Sequence, residues 1–257
     1  MLRLEDIEGK PAVFVNREGA TPIAIVCEHA SRFIPTEFDG LGLTDVARES
    51  HAAWDPGAFD VAQMLALGLN APLVASGVSR LVYDCNRPPE ALDAMPAKSE
   101  QFDVPGNLAL TEAQRAARTK NYYVPFCAAL TEMMATGIEA IVTVHSFTPI
   151  YHGTPRAVEL GVLHDSDSRL ADAMLKNAPQ ETTLLTLRNE PYGPEHGVTH
   201  TLKVHGVENG IANVMLEIRN DLLATPEQRQ EIAQMLLRIL RKSLNDIGVP
   251  TPQESTE

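Results

Sequence analysis

The amino-acid sequence predicts an α/β domain in which helices flank a single sheet that is mixed and mostly parallel. Short apolar or β-branched segments alternate along the chain with longer segments of helical periodicity, and this alternation is typical of α/β layered folds. The 257 residues are enough for one large domain or two small ones. Since no Pro-, Gly- or Ser-rich linker divides them, we expect one domain.

Six segments are predicted to be strands, because each is a brief apolar or β-branched run beside turn or polar residues. They are Ile23–Cys27 and residues 72–76, 140–144, 158–163, 182–187 and 213–218. The Pro-rich segment 86–107 has no periodicity and is predicted to be a long loop. The C-terminal segment 250–257 is expected to fray.

Four segments are predicted to be helices. Thr111 and Gln114 form a capping box that opens a helix running to Gly137, and Pro125 is expected to kink or split this helix. A second capping box begins at Thr225, with proline at the first helical position and apolar residues on one face of the helix that follows. The other two predicted helices are residues 58–69 and 168–178.

The composition excludes several classes of protein. The formal net charge is −13, and such an acidic protein lacks the basic footprint that nucleic-acid binding requires. A pocket with a few arginines can still bind a small anion. The three cysteines are scattered, which suits free thiols in a reducing cytoplasm. With no apparent signal peptide and no apolar run near 18 residues, we expect a cytoplasmic protein with no membrane partner.

Polar side chains follow the apolar strands at the points where a ligand is expected to bind. In open α/β sheets, ligands bind beyond the carboxyl ends of the strands. Strand 23–27 runs into His29, strand 140–144 runs into His145, and Glu217 lies at the far end of strand 213–218. Asp55 occupies an Asp-Pro-Gly turn directly before a predicted helix.

These four residues match the needs of a hydrolytic zinc site. Such a site uses three protein ligands, keeps a fourth position for water, and has a separate carboxylate as general base. His29 and His145 are the candidate histidine ligands, Asp55 is the candidate third ligand, and Glu217 is the candidate base. His51 could instead complete or support the site. Because the sequence has no HExxH motif, this interpretation depends on the strand-end positions alone.

Covalent catalysis fits the sequence less well. The sequence has no GxSxG motif, and the strand neighbours of Cys27 are apolar, as expected of a buried and inert thiol. His145 and Ser146 are adjacent in one strand, which usually prevents a contact between nucleophile and base. Four other histidines, at positions 164, 196, 200 and 205, are interpreted as turn or surface residues, and His205 is the best functional candidate among them.

Seven motifs occur in the order seen in N-formylglutamate amidohydrolases, and the resemblance covers roughly Ile23 to Leu222. The motifs are CEHASRFIP, HAAWDPGAFDVA, SRLVYDCNRP, VHSFTP, NEPYG, HG and LEIRNDL. That family is similar in fold to zinc carboxypeptidases and aspartoacylases, with the phosphorylase/hydrolase-like architecture. The resemblance implies that residues 1–257 form one catalytic domain, in which a zinc-bound water attacks an amide carbonyl. It also implies that His29 and His145 are zinc ligands and that Glu217 is the general base.

The sequence departs from the carboxypeptidase pattern at one ligand. Carboxypeptidases have His-x-x-Glu as the first ligand pair, whereas the residue three positions after His29 is Arg32. A guanidinium stays protonated and cannot ligate a metal. We therefore expect Asp55 to replace the glutamate. Glu28 is the substitute candidate, although neighbours on an extended strand point to opposite faces.

The resemblance also implies a substrate. The reaction is hydrolysis of N-formyl-L-glutamate to glutamate and formate, a late step in some routes of histidine degradation. Asn86 and Arg87 look like the Asn-Arg pair that holds a substrate carboxylate in carboxypeptidase-like folds. Because the substrate is a dianion, the residues that would suit its binding also include Arg80, Arg219 and Arg32.

Three further possibilities stay open at this point. A related deacylase or peptidase would use the same machinery on another amide. A non-catalytic protein on the same fold would bind an acyl-amino acid without turnover. Zinc is the expected cofactor, but sites of histidine and carboxylate ligands also accept other divalent metals.

Overall fold

A mixed seven-stranded sheet lies at the centre of the computed structural model, which describes residues 1–252. Its strands in chain order are β1 (Val13–Val15), β2 (Ile23–Cys27), β3 (Leu73–Ala75), β4 (Ala140–Phe147), β5 (Leu160–Leu163), β6 (Thr186–Arg188) and β7 (Ala212–Arg219). Their spatial order is β1-β3-β2-β4-β7-β5-β6. The pairs β1–β3 and β7–β5 are antiparallel and the other neighbouring pairs are parallel.

Helices cover both faces of this sheet. They are α1 (Leu4–Ile7), α2 (Asp45–Glu49), α3 (Ala58–Gly68), α4 (Glu112–Arg118), α5 (Val124–Met134), α6 (Arg169–Glu181) and α7 (Pro226–Asp246). Helices α3, α6 and α7 pack on one face and α5 packs on the other. Among the described residues, no helix combines the length and apolar character needed to cross a membrane.

The alternation of side chains along β2 explains why this strand is buried on both faces. Ile23, Ile25 and Cys27 point into the core under α3 and α7, whereas Ala24 and Val26 point into the core under α5. Successive side chains of a strand point to opposite faces, so a central strand between two helical layers must be apolar throughout. Polar residues can therefore begin only where the strand ends.

The structure confirms the predicted fold class, a single α/β domain with a mixed, mostly parallel sheet between helices. All six predicted strands are present. Ile23–Cys27 has the predicted bounds and the other five have shifted bounds, while the helix at 58–69 ends at Gly68. The segment 182–187 becomes a strand only at Thr186, since α6 continues to Glu181. Pro125 lies at the start of α5, where a π-helical turn joins α4 to α5.

The remaining differences concern short or terminal segments. The edge strand β1 was not predicted, because three half-buried residues are too short for a periodicity signal. The long loop 86–107 contains a two-stranded ribbon of Lys98–Ser99 and Phe102–Asp103. Most of the C-terminal segment expected to fray, residues 253–257, lies outside the described residues.

The register of the central strands brings three strand ends to one edge of the sheet. β4 and β7 run parallel over eight paired residues, so that Glu217 is directly opposite His145. On its other side Glu217 faces Gly161 of β5. A Cβ atom on Gly161 would lie 2.0 Å from the carbonyl oxygen of Glu190, so only glycine fits beside Glu217.

Helix α7 should be a main contributor to stability, because its apolar face covers α3 and α6. Leu240 is fully buried in that core, and we expect Leu240→Ala to lower the free energy of unfolding by about 2–5 kcal/mol. Urea unfolding followed by circular dichroism measures this change. Gln234→Ala, at an exposed position of the same helix, is the matched control and should stay within about 0.5 kcal/mol of the wild type.

Candidate active site

Three buried side chains from three segments converge at the carboxyl ends of β2 and β4. His29 follows β2, His145 lies within β4, and Asp55 occupies the turn before α3. Asp55 Oδ2 lies 3.2 Å from His29 Nδ1 and 2.9 Å from His145 Nδ1, and the two Nδ1 atoms are 3.1 Å apart. Each of the three residues is at most 3% exposed. Three potential ligand atoms therefore surround one point.

Local hydrogen bonds explain how Asp55 reaches a histidine 26 positions earlier in the chain. The backbone N–H of Asp55 donates to the carbonyl of His29, which ties the turn to the end of β2. Gly57 has a φ of +80°, a conformation that glycine adopts without strain, and it precedes the first residue of α3. The N–H of Ser146 then donates to Asp55 Oδ2 from the β4 side.

The spacing of these atoms fits a divalent metal. A tetrahedral zinc ion with bonds of about 2.1 Å sets its ligand atoms about 3.3–3.4 Å apart. The three distances here, 2.9, 3.1 and 3.2 Å, are slightly shorter. Two imidazole nitrogens and one carboxylate oxygen are common zinc ligands, and three of them leave a coordination position for solvent or substrate. These three residues could hold such an ion.

The outer nitrogen of each imidazole faces a second buried carboxylate. His29 Nε2 lies 2.7 Å from Asp84 Oδ1, and His145 Nε2 lies 3.1 Å from Glu28 Oε2. Both arrangements favour the tautomer that carries hydrogen on Nε2, which leaves the Nδ1 lone pair free for a metal. Arg80 connects the two aspartates, because its guanidinium lies 2.9 Å from Asp84 and 3.4 Å from Asp55.

The charges of this cluster are strongly coupled. Burial lowers the pKa of His145, but the negative charges of Glu28 and Asp55 outweigh this effect and raise the pKa well above its usual value. Burial raises the pKa of Asp55, but the positive charges of His29 and His145 shift it far below its usual value. The buried carboxylates thus stabilise positive charge at the point where a metal cation would bind.

Glu217 lies beside this cluster and has the properties of a general base. Burial raises its pKa to about 7, since this effect and the negative charge of Asp55 outweigh the positive charge of His145. Its Oε2 atom is buried and has no hydrogen-bond partner among residues 1–252. A carboxylate with a pKa near neutrality can both accept and release a proton at physiological pH.

These groups line a cavity of about 280 Å³. Three of the five residues predicted to bind substrate, Arg80, Asn86 and Arg87, also line it. The rest of the wall is formed by mixed polar and aromatic residues, among them His51, Glu100, Phe147, Tyr151 and Tyr192. His51 Nε2 lies 2.7 Å from Glu100 Oε2, so this histidine supports the wall and is not part of the ligand group.

Asn86 and Arg87 also hold a neighbouring loop in place. Asn86 Oδ1 accepts a hydrogen bond of 3.0 Å from the N–H of Thr201. Arg87 donates through Nη1 to the carbonyl of Gly197 at 2.7 Å and through Nε to Asp93 at 2.7 Å. The pair therefore lines the cavity and also holds the loop 196–201 beside it.

The structure does not bring Arg219 and Arg32 to the cavity. Arg219 Nε donates to Asp221 at 2.8 Å, and its Nη2 donates to Glu159 at 3.3 Å. Arg32 pairs with Glu49 on α2 and lies over the ring of Trp54. Nearby carboxylates bind both guanidinium groups, and sequence patterns did not reveal these partners.

Several site residues had only weak signals in the sequence. Asp84 lies two positions before Asn86 in the SRLVYDCNRP motif, but nothing local shows that it faces His29. Glu28 does not belong to the ligand group, yet it contacts the outer nitrogen of His145. Sequence reasoning weighed it only as a substitute ligand, because the neighbouring strand that supplies its partner is 117 residues further along the chain.

Arg156 is a further residue that the motifs did not indicate. Its guanidinium lies 4.3 Å from the ring centre of Tyr151 and 4.8 Å from that of Tyr192. It also donates to the Tyr192 hydroxyl at 2.9 Å. Because both tyrosines line the cavity, Arg156 stiffens the aromatic part of its wall.

The convergence of ligand atoms predicts the metal content of a variant. We expect the wild type to bind about one Zn²⁺ per chain. His145→Ala should lose tight binding, because only two of the three protein ligands would remain. Metal analysis after dialysis measures this difference. His196→Ala is the control, since His196 lines the cavity outside the ligand group. Full metal retention by His145→Ala would contradict the ligand assignment.

Comparisons with known proteins show the family and the fold of this chain. The model of the N-formylglutamate amidohydrolase family matches residues 21–224. A gene product from Agrobacterium tumefaciens has a similar structure, with a TM-score of 0.90, 50% identity, and coverage of 94% of this chain and 98% of that one. An N-formylglutamate amidohydrolase from Ralstonia eutropha shares the fold at 18% identity, with a TM-score of 0.67 and coverage of 93% and 99%. No curated protein matches the chain. The family suggested by the sequence motifs is confirmed, and the chain belongs to the N-formylglutamate amidohydrolase family.

Proposed function

We propose that this protein is a zinc-dependent amidohydrolase that converts N-formyl-L-glutamate and water to L-glutamate and formate. One observation carries this proposal: the buried group of His29, Asp55 and His145 shares a cavity with Glu217, whose pKa is raised to about 7. We further propose that residues 1–257 act as one catalytic domain. The family resemblance and the free cysteines support a cytoplasmic role in histidine degradation.

The proposed mechanism assigns one task to each group. A divalent metal held by His29, Asp55 and His145 would supply Lewis acidity, which lowers the pKa of water and polarises an amide carbonyl. Glu217 accepts a proton from the attacking water and then delivers it to the leaving nitrogen. Its unpartnered Oε2 atom in the cavity wall supports both transfers. The C–N bond breaks, and the products are formate and the free amine.

The arginines of the cavity support an anionic substrate. Arg80 lies beside Asp55, and its side chain is 29% exposed, so we assign it to the negative charge that develops on the carbonyl oxygen. Arg87 lines the same cavity, and together with Asn86 it is assigned to a substrate carboxylate. The volume of about 280 Å³ lies just below the usual range of about 300–1,000 Å³ for ligand sites, which suits a small acyl-amino acid.

A panel of substrates tests this proposal. Formate release from N-formyl-L-glutamate should exceed that from N-formyl-L-glutamine, and N-acetyl- and N-succinyl-L-glutamate should be cleaved more slowly, as followed by glutamate release. Prolonged chelation should abolish all activity and added Zn²⁺ should restore it. Preferred cleavage of another acyl group would indicate a related deacylase. Tight substrate binding by metal-loaded protein without turnover would indicate a non-catalytic binding protein.

Glu217→Gln separates catalysis from metal binding. We expect the turnover number to fall about 10²- to 10⁴-fold, because the amide cannot accept the proton from water. The zinc content should stay near one per chain, since Glu217 does not belong to the ligand group. Formate release and metal analysis on the same preparation measure both quantities. Glu195→Gln, at an exposed position, is the matched control for the substitution.

A further inference from the structure

Glu28 is a buried carboxylate that the proposed reaction does not use. Its side chain is fully buried, and it does not belong to the cavity lining. Its Oε2 atom lies 3.1 Å from His145 Nε2, although the N–H does not point straight at this oxygen. Within residues 1–252, neither oxygen of Glu28 has a well-aligned hydrogen bond.

A carboxylate in this position needs a compensating partner. Burying an ionised group is unfavourable unless good geometry and further hydrogen bonds compensate for the lost hydration. Glu28 lies directly after the apolar strand β2, and Cys27, Ala30 and Val26 around it in the chain are fully buried. His145 is the buried partner that compensates for this charge.

The strand register explains how Glu28 meets His145. β2 and β4 are parallel neighbours, and Val26 pairs with Thr143. Glu28 is the first residue after the end of β2, and its carboxylate lies 3.1 Å from the ring of His145, two residues after Thr143. In the turn after β2, His29 reaches the ligand group through Nδ1, while Glu28 reaches Nε2 on the far side of the His145 ring.

We propose that Glu28 is a positioning residue of the metal centre, which accepts the Nε2 hydrogen of His145 and so holds Nδ1 towards the metal. The same relation exists between Asp84 and His29, whose contact is 2.7 Å. Of these two adjacent residues, Glu28 supports the ligand His145, and His29 is itself a ligand. This inference rests on the proposed metal site but not on the proposed substrate.

Removal of this carboxylate should weaken metal binding. For the full-length protein with Zn²⁺ as the probe, we expect Glu28→Met to weaken Zn²⁺ binding about 10- to 100-fold in competition with a chromophoric chelator. The visible spectrum of the Co²⁺-loaded variant should also change. The urea midpoint of the metal-free protein should fall as well, because removing one member of a buried charge pair leaves the other member uncompensated.

Thr143→Val is the matched control. Thr143 is buried on the same strand two residues before His145, and its hydroxyl has no hydrogen-bond partner among the described residues. Its replacement should leave both the Zn²⁺ affinity and the Co²⁺ spectrum unchanged. Equal losses of affinity in Glu28→Met and Thr143→Val would show a general packing effect and would overturn the proposal.

Glu28→Gln provides a readout that does not depend on Glu28→Met being folded. In the zinc-loaded wild type, the Nε2 proton of His145 should give a downfield NMR resonance because it is donated to a carboxylate. Glu28→Gln should move this resonance upfield. The proposal would be wrong if the resonance did not shift in Glu28→Gln or if Glu28→Met bound Zn²⁺ with wild-type affinity. If Glu28 passes these tests while N-formyl-L-glutamate is not cleaved, the proposed substrate is wrong and the role of Glu28 stands.

Discussion

The pairing of buried imidazoles with buried carboxylates is the interaction on which the rest of this site depends. Asp55 lies between His29 and His145, while Asp84 and Glu28 face their outer nitrogens. Each of these groups would be unfavourable if it were buried alone, because it would lose its hydration without compensation. Together they form a preorganised environment for positive charge. In the metal-free protein the carboxylates raise the pKa of both histidines, which favours the protonated imidazoles.

The apolar sheet is what makes this arrangement rigid. β2, β4 and β7 are buried on both faces, and their parallel register sets the relative heights of the three strand ends. A change of register by one residue would turn His145 or Glu217 to the opposite face of the sheet. The precision of the polar cluster is therefore a consequence of the packing of α3 and α7 on one face of the sheet and of α5 on the other.

Two loops then give the strand ends an enclosed cavity. Asn86 and Arg87 connect the long loop after β3 to the loop 196–201, and Arg156 holds the tyrosines of the opposite wall. The arginines thereby combine two tasks, since Arg87 lines the cavity while most of its contacts are with backbone carbonyls and Asp93. Enclosure raises the pKa of Glu217 through burial, so the loops affect the chemistry as well as access.

Local features of the sequence determined most of the secondary structure, the fold class and four candidate site residues, His29, Asp55, His145 and Glu217. β2, α7 and the Asp-Pro-Gly turn at Asp55 could be identified because periodicity, capping boxes and turn chemistry act within a few residues. Tertiary structure alone decided the supporting partners. Glu28 meets His145 only through strand pairing, and Arg219 is bound by Glu159 from a distant segment. Such contacts depend on register and loop path, which arise from packing of the whole domain and leave no local pattern in the chain.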